Sequence, residues 1–203
     1  MLAVSAYAQT EPAPPDPAPP DPAPRAVMEA IQASPTPDAP NQVIVGAYIN
    51  DIQELDFKAN NYVVDLYVWF RWKSRDVDAS KTMEFMNRYA SDDNVREALY
   101  DEPKEMPDGS RYSIIRYQGR FATEFPLEDY PFDTQILRVV MEDTVSPATT
   151  QVYVPDQDGG VGMNPELTLP GFHVGKPVME IAPNFYPTNF GDLAEPDATA
   201  YSR

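Results

Sequence analysis

Residues 61–73 read NYVVDLYVWFRWK. The even positions Tyr62, Val64, Leu66, Val68, Phe70 and Trp72 are all apolar, whereas the odd positions hold Val63, Asp65, Tyr67, Trp69 and Arg71. Successive side chains of a strand point to opposite faces, so the stretch reads as one long strand with a core face and a mixed face. Trp72 belongs to the core. Tyr67 and Trp69 stand among charges on the other side, a pattern that suits a surface meeting a ligand or another subunit.

Outward from this strand the same period recurs. QVIVGAYINDI (42–52) sets Val43, Val45, Ala47 and Ile49 on one side, and DFKANN (56–61) is the polar turn that joins it to the next strand. The span 80–110 is polar and irregular, with a helical turn expected near 93–100. RYSIIRYQGRFATEF (111–125) reads as two strands or one broken at Gly119. TQILRVVMED (134–143) turns Leu137, Val139 and Met141 inward, and TTQVYVP (149–155) is a further strand. A long loop (156–171), a strand interrupted at Pro177 (172–181), an aromatic-rich hairpin (182–196) and a last strand at DATAYSR (197–203) complete the series. Short strands at regular spacing with little helix imply an all-β sandwich over residues 41–203.

The N-terminal part differs in kind. Eleven of the 23 prolines lie in residues 1–40, where EPAPPDPAPPDPAP repeats a Pro-Ala-Pro-Pro-Asp unit. Proline fixes φ and removes a donor, so residues 10–40 are expected to be a disordered, extended linker, with a short helix over 25–34. MLAVSAYAQ (1–9) ends its apolar run in Ala6-Tyr7-Ala8 and resembles the tail of a secretory signal.

A net charge of -17 argues against nucleic acid and against an anionic membrane surface, and is compatible with attracting cations. There is no cysteine, hence no disulfide and no thiolate metal site. The single His173 has no partner for a zinc site or a catalytic relay, and G-x-S-x-G is absent, so an enzyme is not expected and no cofactor is implied. DQDGG (156–160) lacks the acid spacing of a calcium loop.

Two motifs carry a family likeness. VWFRWK (68–73) and FPLEDYPFDTQIL (125–137) in this strand order resemble the extracellular domain of bacterial pentameric ligand-gated ion channels, the cysteine-less branch of the Cys-loop receptor superfamily. The likeness implies an immunoglobulin-like twisted β-sandwich on the periplasmic face of the inner membrane, forming a homo-pentamer through C-terminal helices. Thr123 and Leu137 stand where animal receptors carry the loop-closing cysteines. The resemblance also implies that Asp56, Lys58, Tyr130, Pro131, Phe132 and Asp133 couple ligand binding to the pore. It places Phe185, Tyr186 and Phe190 as a cap over an interface pocket backed by Glu142 and Thr144, with Tyr67 and Trp69 approaching from the neighbour. Rings with carboxylates suit a small cationic effector, an amine before a divalent cation. The alternatives are a soluble ligand-binding protein of the same fold without channel activity, and a sandwich that only oligomerises.

Overall fold

The computed structural model describes residues 2–7, 39–129, 132–193 and 199–203. The expectations for the proline-rich linker and its short helix, and those for Tyr130 and Pro131, fall outside the described residues.

Fifteen strands are described: β1 (Leu2–Tyr7), β2 (Asn41–Asp56), β3 (Asn61–Trp72), β4 (Met83–Phe85), β5 (Val95–Ala98), β6 (Lys104–Glu105), β7 (Arg111–Ala122), β8 (Thr134–Val139), β9 (Met141–Asp143), β10 (Gln151–Pro155), β11 (Val161–Met163), β12 (His173–Val174), β13 (Val178–Met179), β14 (Pro183–Tyr186) and β15 (Thr199–Ser202). The one α-helix among them, α1, is the single turn Ala79–Thr82, capped by the Asp78 carboxylate. The larger sheet has the order β10-β2-β3-β7-β5, with β11 also on β2 and β6 also on β7. β10 and β11 run parallel to β2, and the other pairs are antiparallel. In the second sheet β1 lies between β8 and the pair β12, β13. Two-stranded ladders β14–β15 and β4–β9 flank these sheets.

The even face of β3 is the centre of the core. Leu66, Val68 and Phe70 are fully buried, and Val43, Val45, Ala47 and Ile49 of β2 lie beside them as the alternation requires. Ile115, Tyr117 and Phe121 of β7, with Leu137 and Val139 of β8, close the core from the other strands. Trp72 is 1% exposed and its indole N–H donates to the Val77 carbonyl at 2.8 Å, fixing the turn after β3. Trp69, on the odd face, is half-buried. In single-tryptophan variants, acrylamide should therefore quench Trp69 strongly and Trp72 weakly. Equal quenching would mean a register shifted by one residue.

Two local expectations change. The stretch 93–100 holds no helical turn: Val95–Ala98 pairs with β7, whose edge needs a partner. Residues 111–122 form one unbroken strand, because Gly119 gives room to the Asn94 side chain, whose Oδ1 accepts the Arg120 N–H at 2.8 Å. Leu2–Tyr7, which resembles part of a signal tail in the sequence, is a strand in the second sheet.

Candidate functional site

β9 places Glu142 beside the β14–β15 ladder, and its side chain is 3% exposed. Glu142 Oε1 accepts the Tyr186 hydroxyl at 2.7 Å, and Oε2 accepts Arg203 Nε at 2.9 Å. A second guanidinium N–H of Arg203 donates to the Tyr186 oxygen at 3.1 Å, closing a three-membered polar ring. Burial, then the hydrogen bond and charge of Glu142, raise the Tyr186 phenol above its ordinary range, so it stays a donor at neutral pH.

Two further rings lie against the tyrosine of this triad. Tyr186 meets Phe190 edge to face at 5.3 Å and Tyr201 at 6.0 Å, and Phe190 meets Tyr201 at 6.4 Å. Phe190 is 64% exposed although it packs on two rings. Its φ is 56°, in the left-handed region that large side chains rarely occupy. The turn holds it there: the Thr188 hydroxyl accepts its N–H at 3.0 Å, and Asn189 Oδ1 accepts that of Gly191 at 3.0 Å. Phe190 is thus a strained, largely exposed ring beside an ion pair whose carboxylate is buried and whose guanidinium is partly exposed.

Of the residues expected to form one pocket, the structure gathers Glu142, Tyr186 and Phe190. Thr144 is engaged elsewhere, its hydroxyl donating to the Thr82 carbonyl at 3.2 Å. Phe185 alternates to the opposite side of β14 from Tyr186 and is 50% exposed. Tyr201 and Arg203 were missed. The alternation of the last strand was the available signal for Tyr201, but nothing in the sequence aims Arg203 at Glu142 across 61 positions.

Tyr67 and Trp69 lie on the outer face of the larger sheet. The Trp69 indole lies flat across Gly46, where a Cβ would come within 2.1 Å of the ring, and its N–H donates to Asp156 at 2.7 Å. Arg71 approaches the other Asp156 oxygen at 3.5 Å. The Arg116 guanidinium sits 5.7 Å from the Tyr67 ring and grips Asp65 through two hydrogen bonds, at 2.9 and 2.8 Å, while Asn50 adds a third at 2.8 Å. Arg116, more than the opposing burial, holds the Asp65 carboxyl below its usual range. A depressed carboxylate contributes stability above its unfolded pKa of about 3.9, lost as pH falls through its lower folded value. Asp65→Asn should therefore flatten the acid limb of a stability-versus-pH curve below about pH 4, and an unchanged limb would contradict the pairing.

The turn residues lie in two connected loops. Asp56 Oδ1 accepts the N–H groups of Lys58 at 3.1 Å and Ala59 at 2.9 Å, which shapes the β2–β3 turn. From that turn Phe57 packs on Phe125 at 4.6 Å and on Phe172 at 6.0 Å, so it touches the loop that precedes β8. In that loop Phe132 is 65% exposed, whereas Asp133 is buried. Asp133 is held by the side-chain amide of Gln135, which also donates to the Pro126 carbonyl at 2.7 Å.

Among the described residues, no group of three or more His, Cys, Asp or Glu side chains could hold a metal ion, and no helix is long and apolar enough to cross a membrane. No family model matches the chain. A curated relative, a proton-gated ion channel from Gloeobacter violaceus, is 23% identical over 154 residues. The match covers 69% of this chain and 43% of the relative, so the chain spans less than half of that protein's length.

Proposed function

We propose that this chain is the ligand-sensing, periplasmic domain of a pentameric ligand-gated ion channel of the cysteine-less bacterial type. Effector binding in this reading occurs between copies. The β14–β15 hairpin of one copy, with Glu142, Tyr186, Phe190, Tyr201 and Arg203, faces Tyr67 and Trp69 on the sheet of the next. The observation that carries the reading is the ring cluster beside the Glu142–Arg203 ion pair, on a chain with a distant channel relative.

The effector class is a small organic cation. A cation entering under Phe190 meets three ring faces and competes with Arg203 for the Glu142 carboxylate. It displaces a guanidinium rather than filling an empty anionic hole, so modest affinity is expected. The proton-gated relative makes protons the second candidate effector. Displacement of the hairpin would reach the pore through the β2–β3 turn and the loop before β8, which Phe57 and Phe125 join.

Tetramethylammonium titrated against the chain, read by Trp69 fluorescence in a Trp72→Phe background, tests the cation site. Saturable quenching is expected, and Phe190→Ala and Glu142→Gln should each weaken it by about tenfold or less, in line with the ~0.5–1 kcal/mol of an exposed cation–π contact. If neither variant changes the response while acidification alone alters the spectrum, the amine assignment fails and protons remain.

A further inference from the structure

The two rings on the outer face of β3 are held in different ways. Tyr67 already has a cation of its own: the Arg116 guanidinium lies 5.7 Å from its ring and is locked there by two hydrogen bonds to Asp65. Trp69 is held by a glycine and an acid. Its cross-strand neighbour on β2 is Gly46, where a Cβ would come 2.1–2.5 Å from Cε2, Cζ2 and Nε1 of the indole, so only glycine lets the ring lie against the sheet. One face of the ring is thereby covered and the other is turned outward. The indole N–H donates to Asp156 Oδ2 at 2.7 Å, which fixes the plane of the ring.

Asp156 has a second partner. Arg71 stands two residues from Trp69 on the same face of β3, and its guanidinium meets Asp156 Oδ1 at 3.5 Å. Asp108 also lies in the field of Arg71, but that carboxylate accepts the Ser110 hydroxyl at 2.5 Å and the Ser110 N–H at 3.0 Å. Without the charge on Asp156, Arg71 would be a free guanidinium within reach of the Trp69 ring, and guanidinium groups stack readily on indole faces. It would cover the open face and repel an incoming cation. We infer that Asp156 is a specificity-determining residue of the effector site, and Gly46 a positioning one. Asp156 holds the Trp69 indole flat over Gly46 and neutralises Arg71, so that the open face of the ring receives a cation from outside. The inference rests on the reading of Trp69 as part of that site.

Asp156 also caps the short turn after β10, its Oδ1 accepting the Gln157 N–H at 2.8 Å, so an effect of charge must be separated from loss of the cap. Asp156→Asn does so. Asparagine caps equally well and its side-chain oxygen still accepts the indole N–H, but Arg71 loses its counter-charge. In the Trp72→Phe background, tetramethylammonium is titrated against the chain and Trp69 fluorescence is followed. Hydrogen exchange of the Trp69 indole N–H is read by NMR without the cation. Asp156→Asn should keep the N–H protected yet raise the half-saturating concentration about two- to fivefold, the weight of an exposed cation–π contact. Arg71→Gln added to it should return that concentration to the parent's. Gly46→Ala should lose both the protection and the response. An unchanged response in Asp156→Asn overturns the inference. So does a loss that Arg71→Gln leaves unrelieved, because Asp156 would then serve the turn alone. If the parent itself shows no response to tetramethylammonium, the effector-site reading fails and the inference falls with it, an outcome visible before any change at Asp156.

Discussion

Trp72→Ala is expected to destabilise the domain by about 3–5 kcal/mol, the range for deleting a large buried aromatic side chain. The ring is 1% exposed and packed at the end of β3, where the core face of that strand is fully buried. The neighbouring strands are held by continuous ladders, which limits how far the cavity can collapse. The substitution also removes the donor to the Val77 carbonyl, which holds the turn leading to α1. Trp72→Phe separates the two effects. It retains much of the packing but loses the hydrogen bond, and should cost about 1–2 kcal/mol. Urea unfolding of the three proteins measures both. If alanine costs no more than phenylalanine, Trp72 does not fill a rigid core. Domains of this size commonly have only about 5–15 kcal/mol in total, so the alanine variant should be close to unfolded at physiological temperature.

The second large effect is expected at Asp143, which is fully buried beside the Glu142 triad but turned to a different task. Its Oδ1 accepts the backbone N–H groups of Val145 at 3.0 Å and Ser146 at 2.8 Å. Its Oδ2 accepts the Thr82 hydroxyl at 3.0 Å and the side-chain amide of Gln151. One carboxylate therefore pins the β9–β10 connection, the end of α1 and the start of β10. Asp143→Ala leaves several buried donors without an acceptor, and should cost about 2–4 kcal/mol. Asp143→Asn keeps one oxygen but introduces an amide donor among donors, and should recover less than half of the loss. A cost below about 0.5 kcal/mol for alanine, the range of ordinary surface substitutions, would refute this network. Because Asp143 does not touch the ring cluster, its loss should alter stability without changing which cation quenches Trp69.

Much of the scaffold was legible because strand periodicity is a local property. The alternation in residues 61–72 and 42–52 required only that one face be buried, and all the inward residues named for both stretches are buried in the structure. The hairpin at 182–196 was visible from its rings and turn residues. Less was legible where a partner decides the outcome. Val95–Ala98 became a strand because the edge of β7 was open, and Leu2–Tyr7 because a slot between β8 and β12–β13 accepts one. Neither segment carries that instruction in its own pattern.

The candidate site divides in the same way. Residue types and alternation in the sequence determined that Tyr67 and Trp69 would share the outer face of β3 and that Tyr186 and Phe190 would stand on one hairpin. Tertiary structure alone decided which acid is charged toward what. It set Arg203 on Glu142, the Gln135 amide on Asp133, and Arg116 on Asp65, with sequence separations of 61, 2 and 51. Charges and amides have no periodicity to betray their partners. Each buried carboxylate must be satisfied once water is removed, and the group that satisfies it is whichever the packed strands bring within about 3 Å.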